Sequence, residues 1–246
     1  MKIISKFIAA SLFCISYITS AQQIQTDRPN ETEGPSTISK HHLQIESGFS
    51  FQQEDNENTF AVPEIVLRYG LVKNLEFRIE SDLKIAKDDN ENHYGFEPVV
   101  VGLKYHILDH KNAIPDVALL GRMSIPWLAD KTYQEQNYSP ELRILAQHSL
   151  SKSSHLGYNM GVHWLPDTAK SEYIYTLTAD HSLTKKMKLI IETYGFAVSH
   201  HHAQNTADAA LLFVVNNNLQ LDIIAGTGIM HEYSDKFAEI GLSYRI

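Results

Sequence analysis

The chain has 246 residues, with 29 acidic against 21 basic side chains and a formal charge of −8, so it offers no basic surface for nucleic acid or another polyanion. Its single cysteine, Cys14, lies near the start, which excludes a disulfide framework and a cysteine-ligated metal. A hydrophobic content of 43% with 20% charged residues fits a soluble domain and a small barrel with a polar lumen equally well, so periodicity has to decide.

Met1 to Ala21 carries Lys2 and Lys6, an apolar stretch from Phe7 to Ile18, and the small residues Thr19-Ser20-Ala21. That is the pattern of an export signal, too short and wrongly flanked for a spanning helix, and no later stretch supplies about 18 consecutive apolar residues. Phe13 before Cys14 is too large for a lipoprotein cleavage site, so no lipid anchor is expected. The chain therefore divides into a signal peptide at 1–21, an extended periplasmic N-terminal segment at 22–40 and a barrel at 41–246. The segment has no strand period and holds Pro29, Gly34 and Pro35. It is either an extended tether or a plug folded back into the barrel mouth, with Asp27, Arg28 and Glu33 paired to lumen charges and the prolines stiffening it.

From residue 41 onward strands follow one another. In His42–Gln52, Leu43, Ile45, Phe49 and Phe51 oppose Gln44, Glu46, Ser50 and Gln52. Phe60–Gly70 carries Glu64 and Arg68 and is interrupted by Pro63. The sharpest alternation is Leu75–Ile85, where Leu75, Phe77, Ile79, Leu83 and Ile85 face away from Glu76, Arg78, Glu80, Asp82 and Lys84. The strand from Val99 sets Lys104 and His106 on its polar face, the next sets Asp116 and Arg122, and the next Glu141 and Arg143. Leu156–Trp164 and Glu172–His181 follow. Met187–Val198 places Lys188 and Glu192 on the polar face but Ile190 with them; Ala207–Asn216 likewise places Leu212 and Val214 there. Leu219–Ile229 opposes Gln220, Asp222 and Gly226 to its aliphatics. In Phe237–Ile246, Ala238, Ile240, Leu242, Tyr244 and Ile246 lie opposite Glu239, Gly241, Ser243 and Arg245.

These twelve strands are of the length that a tilted membrane-crossing strand needs, about 9 to 11 residues, where strands of globular proteins are nearer to about 5 or 6. Their connections alternate between tight turns, such as 72–74, 151–154, 183–186 and 216–218, and wetter loops, such as 87–93, 128–139 and 199–206. An even-numbered outer-membrane barrel has this rhythm, and a Greek-key sandwich does not. The expected fold is an all-β, antiparallel, up-and-down transmembrane barrel. A charge facing lipid near the midplane costs on the order of 2–4 kcal/mol, so the charged faces are expected to line the lumen. Both termini fall on the side of the short turns, taken as periplasmic.

The last strand resembles the C-terminal signal that the barrel-assembly machinery reads in bacterial outer-membrane proteins, with Ile246 where that signal usually has an aromatic residue. The phrases Thr26-Asp27-Arg28-Pro29 and Thr32-Glu33-Gly34-Pro35-Ser36-Thr37, the run Gln44-Ile45-Glu46-Ser47-Gly48-Phe49, and Leu67-Arg68-Tyr69-Gly70-Leu71 followed by Asn74-Leu75-Glu76-Phe77-Arg78 resemble the outer-membrane "transporter" family whose domain is named for the MetA pathway of phenol degradation. The resemblance implies an outer-membrane barrel and, by the family's name, a channel for small solutes, aromatic ones included; it carries over no binding residues.

Two functions follow. The lumen charges are either a conduit that selects a small solute or a filling of ion pairs that holds a narrow barrel in shape. The rival is a non-conducting structural or adhesive barrel presenting the loop 128–139 to a partner. His200-His201-His202 on an outer loop has no completing carboxylate or cysteine, so no metal site and no cofactor is expected. His148 with Ser149 and His181 with Ser182 are the pairs an outer-membrane hydrolase would need, but no nucleophile motif surrounds them, and no enzyme is expected.

Overall fold

The computed structural model describes residues 23–54, 57–87, 92–111, 113–168, 170–229 and 235–246. The expected signal at 1–21, residue 22 and most of the loops at 87–93 and 230–235 lie outside the described residues. The strands are β1 (Leu43–Glu54), β2 (Glu57–Val72), β3 (Leu75–Lys87), β4 (Asn92–Phe96), β5 (Val99–Leu108), β6 (Asp116–Ile125), β7 (Ser139–Ser149), β8 (Ser154–Trp164), β9 (Ser171–Ser182), β10 (Met187–Val198), β11 (Gln204–Asn216), β12 (Leu219–Ile229) and β13 (Lys236–Arg245).

β4 and β5 are two halves of one barrel strand. Both pair with β3, β4 along Leu83–Lys87 and β5 along Leu75–Glu80. Pro98 lies in the break between them and has no N–H for the ladder, while Glu97 N still donates to Asp82 O at 2.9 Å. Each barrel strand is antiparallel to its neighbours, and β13 closes the sheet on β1 from Gln44↔Arg245 to Gln53↔Lys236. The result is the expected twelve-stranded barrel. Pro63 does not end β2: the pairing with β3 shifts between Ala61 and Glu64, a bulge that absorbs the missing donor.

Burial is inverted relative to a soluble domain. Outward side chains such as Ile191 and Ile240 are 60% and 57% exposed, whereas Gln44, Glu76 and Lys104 on the inner face are fully buried. Closure of β13 on β1 leaves only the outer edge of the short β4 without a strand partner among the described residues, and an apolar exterior belongs in lipid, where every backbone polar group must be paired within the protein. Among the described residues no helix is long and apolar enough to cross a membrane; the crossing is by strands.

The inner face is not uniformly polar. Ile190, Ala210, Leu212 and Ile224 form a buried cluster with Phe237 packed on it, and Ala118, Leu120 and Leu145 form a second. Ile190 and Leu212, which interrupt the polar face of β10 and β11, are therefore lumen residues packed in one cluster, while Val214 lines a lumen cavity.

The first and last strands meet at what we term the turn end: Ile246 N donates to Leu43 O at 2.7 Å, beside the turn at 217–218. At the opposite loop end, the loop 128–139 is laid back on the barrel rather than free. The Asp130 carboxylate accepts Phe96 N–H at 2.7 Å, and the Glu135 carboxylate accepts the Ser124 hydroxyl at 2.5 Å.

Introducing a charge on the outer face tests this sorting. Ile223→Arg is expected to lower stability by about 2–4 kcal/mol in urea titrations of the barrel refolded into vesicles. An unchanged midpoint would mean that Ile223 does not face lipid.

Candidate functional site

Residues 24–38 run inside the barrel, with Gln23 and the stretch 39–42 exposed at its mouth. They enter at the turn end, where Ile24 N donates to Asn217 O at 2.9 Å, and reach their far point at Glu31–Glu33. They leave at the same end, where His41 N donates to Gly70 O at 2.8 Å. Pro29 and Pro35 lack a donor and the stretch has no period, so it adds no strand to the sheet, yet a buried backbone must have its polar groups paired. The lumen side chains do this. Gln44 Nε2 donates to Gln25 O at 2.8 Å, and the Glu46 carboxylate accepts Arg28 N–H at 3.0 Å. Glu192 accepts the N–H groups of Glu31 and Thr32 at 2.9 and 2.7 Å. Asn159 both accepts Glu33 N–H at 2.8 Å and donates to Glu33 O at 3.0 Å. On the way out, Lys104 donates to Gly34 O at 3.0 Å and Glu76 accepts Ile38 N–H at 2.9 Å.

The charges of the segment match those of its berth. One wall of the lumen carries Arg68, Arg78, Lys104, Arg122 and Arg143 on β2 to β7. Asp27 pairs with Lys104 at 2.6 Å and Arg68 at 3.1 Å. Glu33 meets Arg78, Lys104 at 3.2 Å and Arg122 at 3.1 Å, and Glu31 meets Arg143 at 2.6 Å. The wall's own acids, Glu46, Glu76, Glu80 and Glu141, complete the network. The facing wall is acidic, with Glu64 on β2, Glu192 on β10, Asp208 on β11, Asp222 on β12 and Glu239 on β13. Arg28 pairs with three of these, Glu64 at 2.8 Å, Glu239 at 3.2 Å and Asp222 at 3.4 Å.

Arg28 fits there because two glycines leave room. Glu64, Gly48, Gly241 and Asp222 are lateral neighbours across β2, β1, β13 and β12. A Cβ at Gly48 or Gly241 would run into the Arg28 guanidinium. The planar fork lies over the two glycines with carboxylates on both sides.

Cavities remain around the segment. One of about 750 Å³ opens at the turn end, lined by Gln25, Asn30, Thr32, His155, Asp180 and Lys188 among others. Two smaller ones face the loop end, of about 220 Å³ above Arg28–Glu33 and about 310 Å³ around Asp82, Glu97 and Glu135. Asp27, Arg28, Asn30 and Glu33 line both the turn-end cavity and the 220 Å³ chamber, and so stand between the two.

Of the charges expected in the lumen, Glu46, Glu64, Arg68, Glu76, Arg78, Glu80, Lys104, Arg122, Glu141, Arg143, Glu192 and Glu239 are brought together around the segment. Five stand apart. Asp82 accepts Ile65 N–H at 3.4 Å, Lys84 pairs with Glu97 at 3.2 Å, and Lys188 pairs with Asp180 at 3.3 Å. Asp116 accepts His110 N–H at 2.8 Å, and Arg245 donates to Asn217 O at 3.2 Å at the turn end. Gly48, Gly241, Asn159, Asp208 and Asp222 join the site only through strand register; the one sign of them in the sequence is a glycine on the inner face of each of two strands that must pair. Neither candidate His–Ser pair forms: His148 bonds Tyr158 Oη at 3.3 Å and His181 bonds Ser154 Oγ at 2.8 Å.

The family model described as "Putative MetA-pathway of phenol degradation" matches residues 26–246. Among solved structures, an outer-membrane channel from Pseudomonas putida F1 superposes with a TM-score of 0.66 at 9% identity, covering 90% of this chain and 100% of that one. The KdgM porin in complex with disordered oligogalacturonate gives 0.55 at 10%, covering 81% and 98%. A TodX monoaromatic hydrocarbon channel mutant gives 0.50 at 7%, covering 92% and 97%. No curated protein matches the sequence.

Because residues 23–246 hold no cysteine, a nitroxide on a cysteine introduced at the exposed Gln23 reports docking of the segment cleanly. Removing one member of a buried charge group costs about 3–5 kcal/mol, so Arg28→Ala, or Gly241→Val which fills its seat, should weaken docking roughly 100-fold or more and turn an immobile spectrum mobile. An immobile spectrum in both variants would show that Arg28 does not hold the segment.

Burial by itself would raise the Glu33 carboxyl, but Arg78, Lys104, Arg122 and Arg143 outweigh it and hold the group well below the usual carboxylate range. A depressed value in the docked state stabilises docking fully above the free value of about 4.5 and loses that contribution as acid protonates the group. The label at residue 23 should therefore stay immobile from neutral pH down to about 4.5 and loosen below it; loosening on the alkaline side instead would contradict the assignment.

Proposed function

This chain belongs to the family of the MetA pathway of phenol degradation, and on that premise we propose that it is a passive outer-membrane channel for a small, ring-sized solute, closed by its own N-terminal segment. The observation that carries the reading is the segment itself, seated across the lumen between a turn-end and a loop-end cavity. Residues 22–40 then act as a periplasmic plug, 41–246 as the barrel, with both termini periplasmic and the larger cavity open to the periplasm. The lining charges, with Asp27, Arg28 and Glu33 of the plug, set what passes. Solved barrels of the same fold are named as channels for monoaromatic hydrocarbons and as porins, which supports an aromatic or similarly compact solute. β13, paired to β1 at the seam, is the strand the barrel-assembly machinery would handle last.

The way the plug is held favours release over permanent filling. Ile24 and Ile38 are its only large aliphatic side chains, and both sit near the turn end. The stretch between them is held by ion pairs and by side-chain bonds to its backbone, which water and ions can replace.

Deleting residues 23–37 should convert single-molecule currents in planar bilayers from near background to stable open steps, and Arg28→Ala should give flickering steps of the same size. Equal conductance in the intact and deleted proteins, each showing the heat-modifiable mobility of a folded barrel, would remove the gate. No current from either would remove the channel.

A further inference from the structure

We propose that the chamber above the plug, at the loop end, is a binding site for a ring-sized organic ammonium ion. The proposal rests on the channel reading and names the class of solute that the chamber selects. The chamber, of about 220 Å³, is lined by Asp208, Glu239 and Glu31 together with Tyr194, Phe237 and Ile224.

Asp208 carries the argument. It is only 7% exposed, it lines the chamber, no N–H or hydroxyl group donates to either carboxylate oxygen, and the carboxyl beside it is that of its cross-strand neighbour Glu192. Among the described residues no cation pairs with it, whereas its neighbours are engaged. Glu239 is held by Arg28, and Glu192 by the N–H groups of Glu31 and Thr32. The other cations on the chamber wall, Arg78 and Arg122, are bound to Glu33 and Glu80. A buried carboxylate left this way lacks a positively charged N–H donor, and the protein does not supply one.

The rest of the wall says what the donor is attached to. Glu192, Asp208, Gly226 and Phe237 are lateral neighbours across β10 to β13. A Cβ at Gly226 would strike the Phe237 ring and come within 2.7 Å of Asp208 Cβ, so the glycine keeps ring and carboxylate side by side. Phe237 and Ile224 belong to the apolar cluster with Ile190, Ala210 and Leu212. A carboxylate beside two aromatic rings and an aliphatic floor suits a cation with an apolar body, the rings attracting the charge through their faces. A cavity of about 150 Å³ is enough for benzene, so one ring with a short ammonium arm fits this chamber. A bare metal ion fits less well. Among the described residues, three ligand atoms within 4.8 Å of one another occur only at His106, Asp109 and Asp116, at the turn end.

The test is calorimetric titration of the intact mature chain in detergent with benzylammonium, against benzyl alcohol and benzoate. Benzylammonium should bind, benzoate should not, and benzyl alcohol should bind at least tenfold more weakly. Asp208→Asn should weaken benzylammonium at least tenfold, with folding checked by heat-modifiable mobility. Phe237→Ala, which leaves the carboxylate in place, should weaken benzylammonium several-fold while barely changing methylammonium. No heat from wild-type protein, equal binding of benzyl alcohol, or undiminished binding by folded Asp208→Asn overturns the site; if Asp208→Asn does not fold, undiminished benzylammonium binding by Phe237→Ala does so. Binding in detergent does not depend on conduction. A silent titration beside an open plug-deleted channel would sink the site alone, and a positive titration beside a silent bilayer would sink the channel alone.

Discussion

The structure turns on charges that cannot be neutralised within the barrel wall. Five cations project from β2 to β7, and across the lumen Glu64, Glu192, Asp208, Asp222 and Glu239 project with no described cation of the wall paired to them. Buried charges such as these interact strongly, and an unpaired one is costly. Among the described residues no ion pair joins the two walls directly, and a chain passing between them must carry acid on one side and base on the other. Asp27, Glu31 and Glu33 turn to the basic wall and Arg28 to the acidic one. Their order along the chain sets which wall each residue meets.

A charge match alone would leave the segment poorly located, and the glycines supply the location. Gly48 and Gly241 face each other across the β1–β13 seam, the pair whose bonding closes the barrel. Arg28 can lie flat only where two adjacent inner positions are empty, and a planar guanidinium gains most where carboxylates approach it from opposite sides. The same seam that completes the cylinder therefore sets the height of the plug in the lumen. The backbone bonds from Glu46, Glu192 and Asn159 then fix its path, because a segment with two prolines and no strand period has no other way to pair its buried polar groups.

The barrel was legible because its signal repeats. Alternation such as Leu75–Ile85 needs only a neighbouring pair of faces, lipid and lumen, and the rhythm of turns and loops gives the direction of every strand. The plug was legible only as chemistry: Asp27, Arg28 and Glu33 stood out as charges with prolines nearby, equally consistent with a tether. What decided between berth and tether lies in lateral rows. That Glu64, Gly48, Gly241 and Asp222 share a row depends on the register of four strands, and the shifts at Pro63 and between Gly48 and Ser50 alter that register by amounts that no single-strand pattern encodes. Ile190 and Leu212 show the same limit. They read as breaks in a polar face until pairing placed them against Ala210 and Ile224 as a packed apolar floor.

A plug held by charge has a consequence that an apolar plug would lack. On the proposed gating, both walls lose their counter-charges together when the segment leaves, so the open state would be stabilised by whatever ions enter the lumen. The basic wall keeps Glu46, Glu76, Glu80 and Glu141 as internal partners, but the acidic wall loses Arg28, its one described partner of opposite charge. On that proposal solute cations would be drawn to β10–β13, and opening would be favoured by the species that replace Arg28 there. Binding at the acidic wall and displacement of the plug become linked equilibria, since a cation that binds the open lumen better than the closed one must shift the population toward opening by the ratio of those affinities.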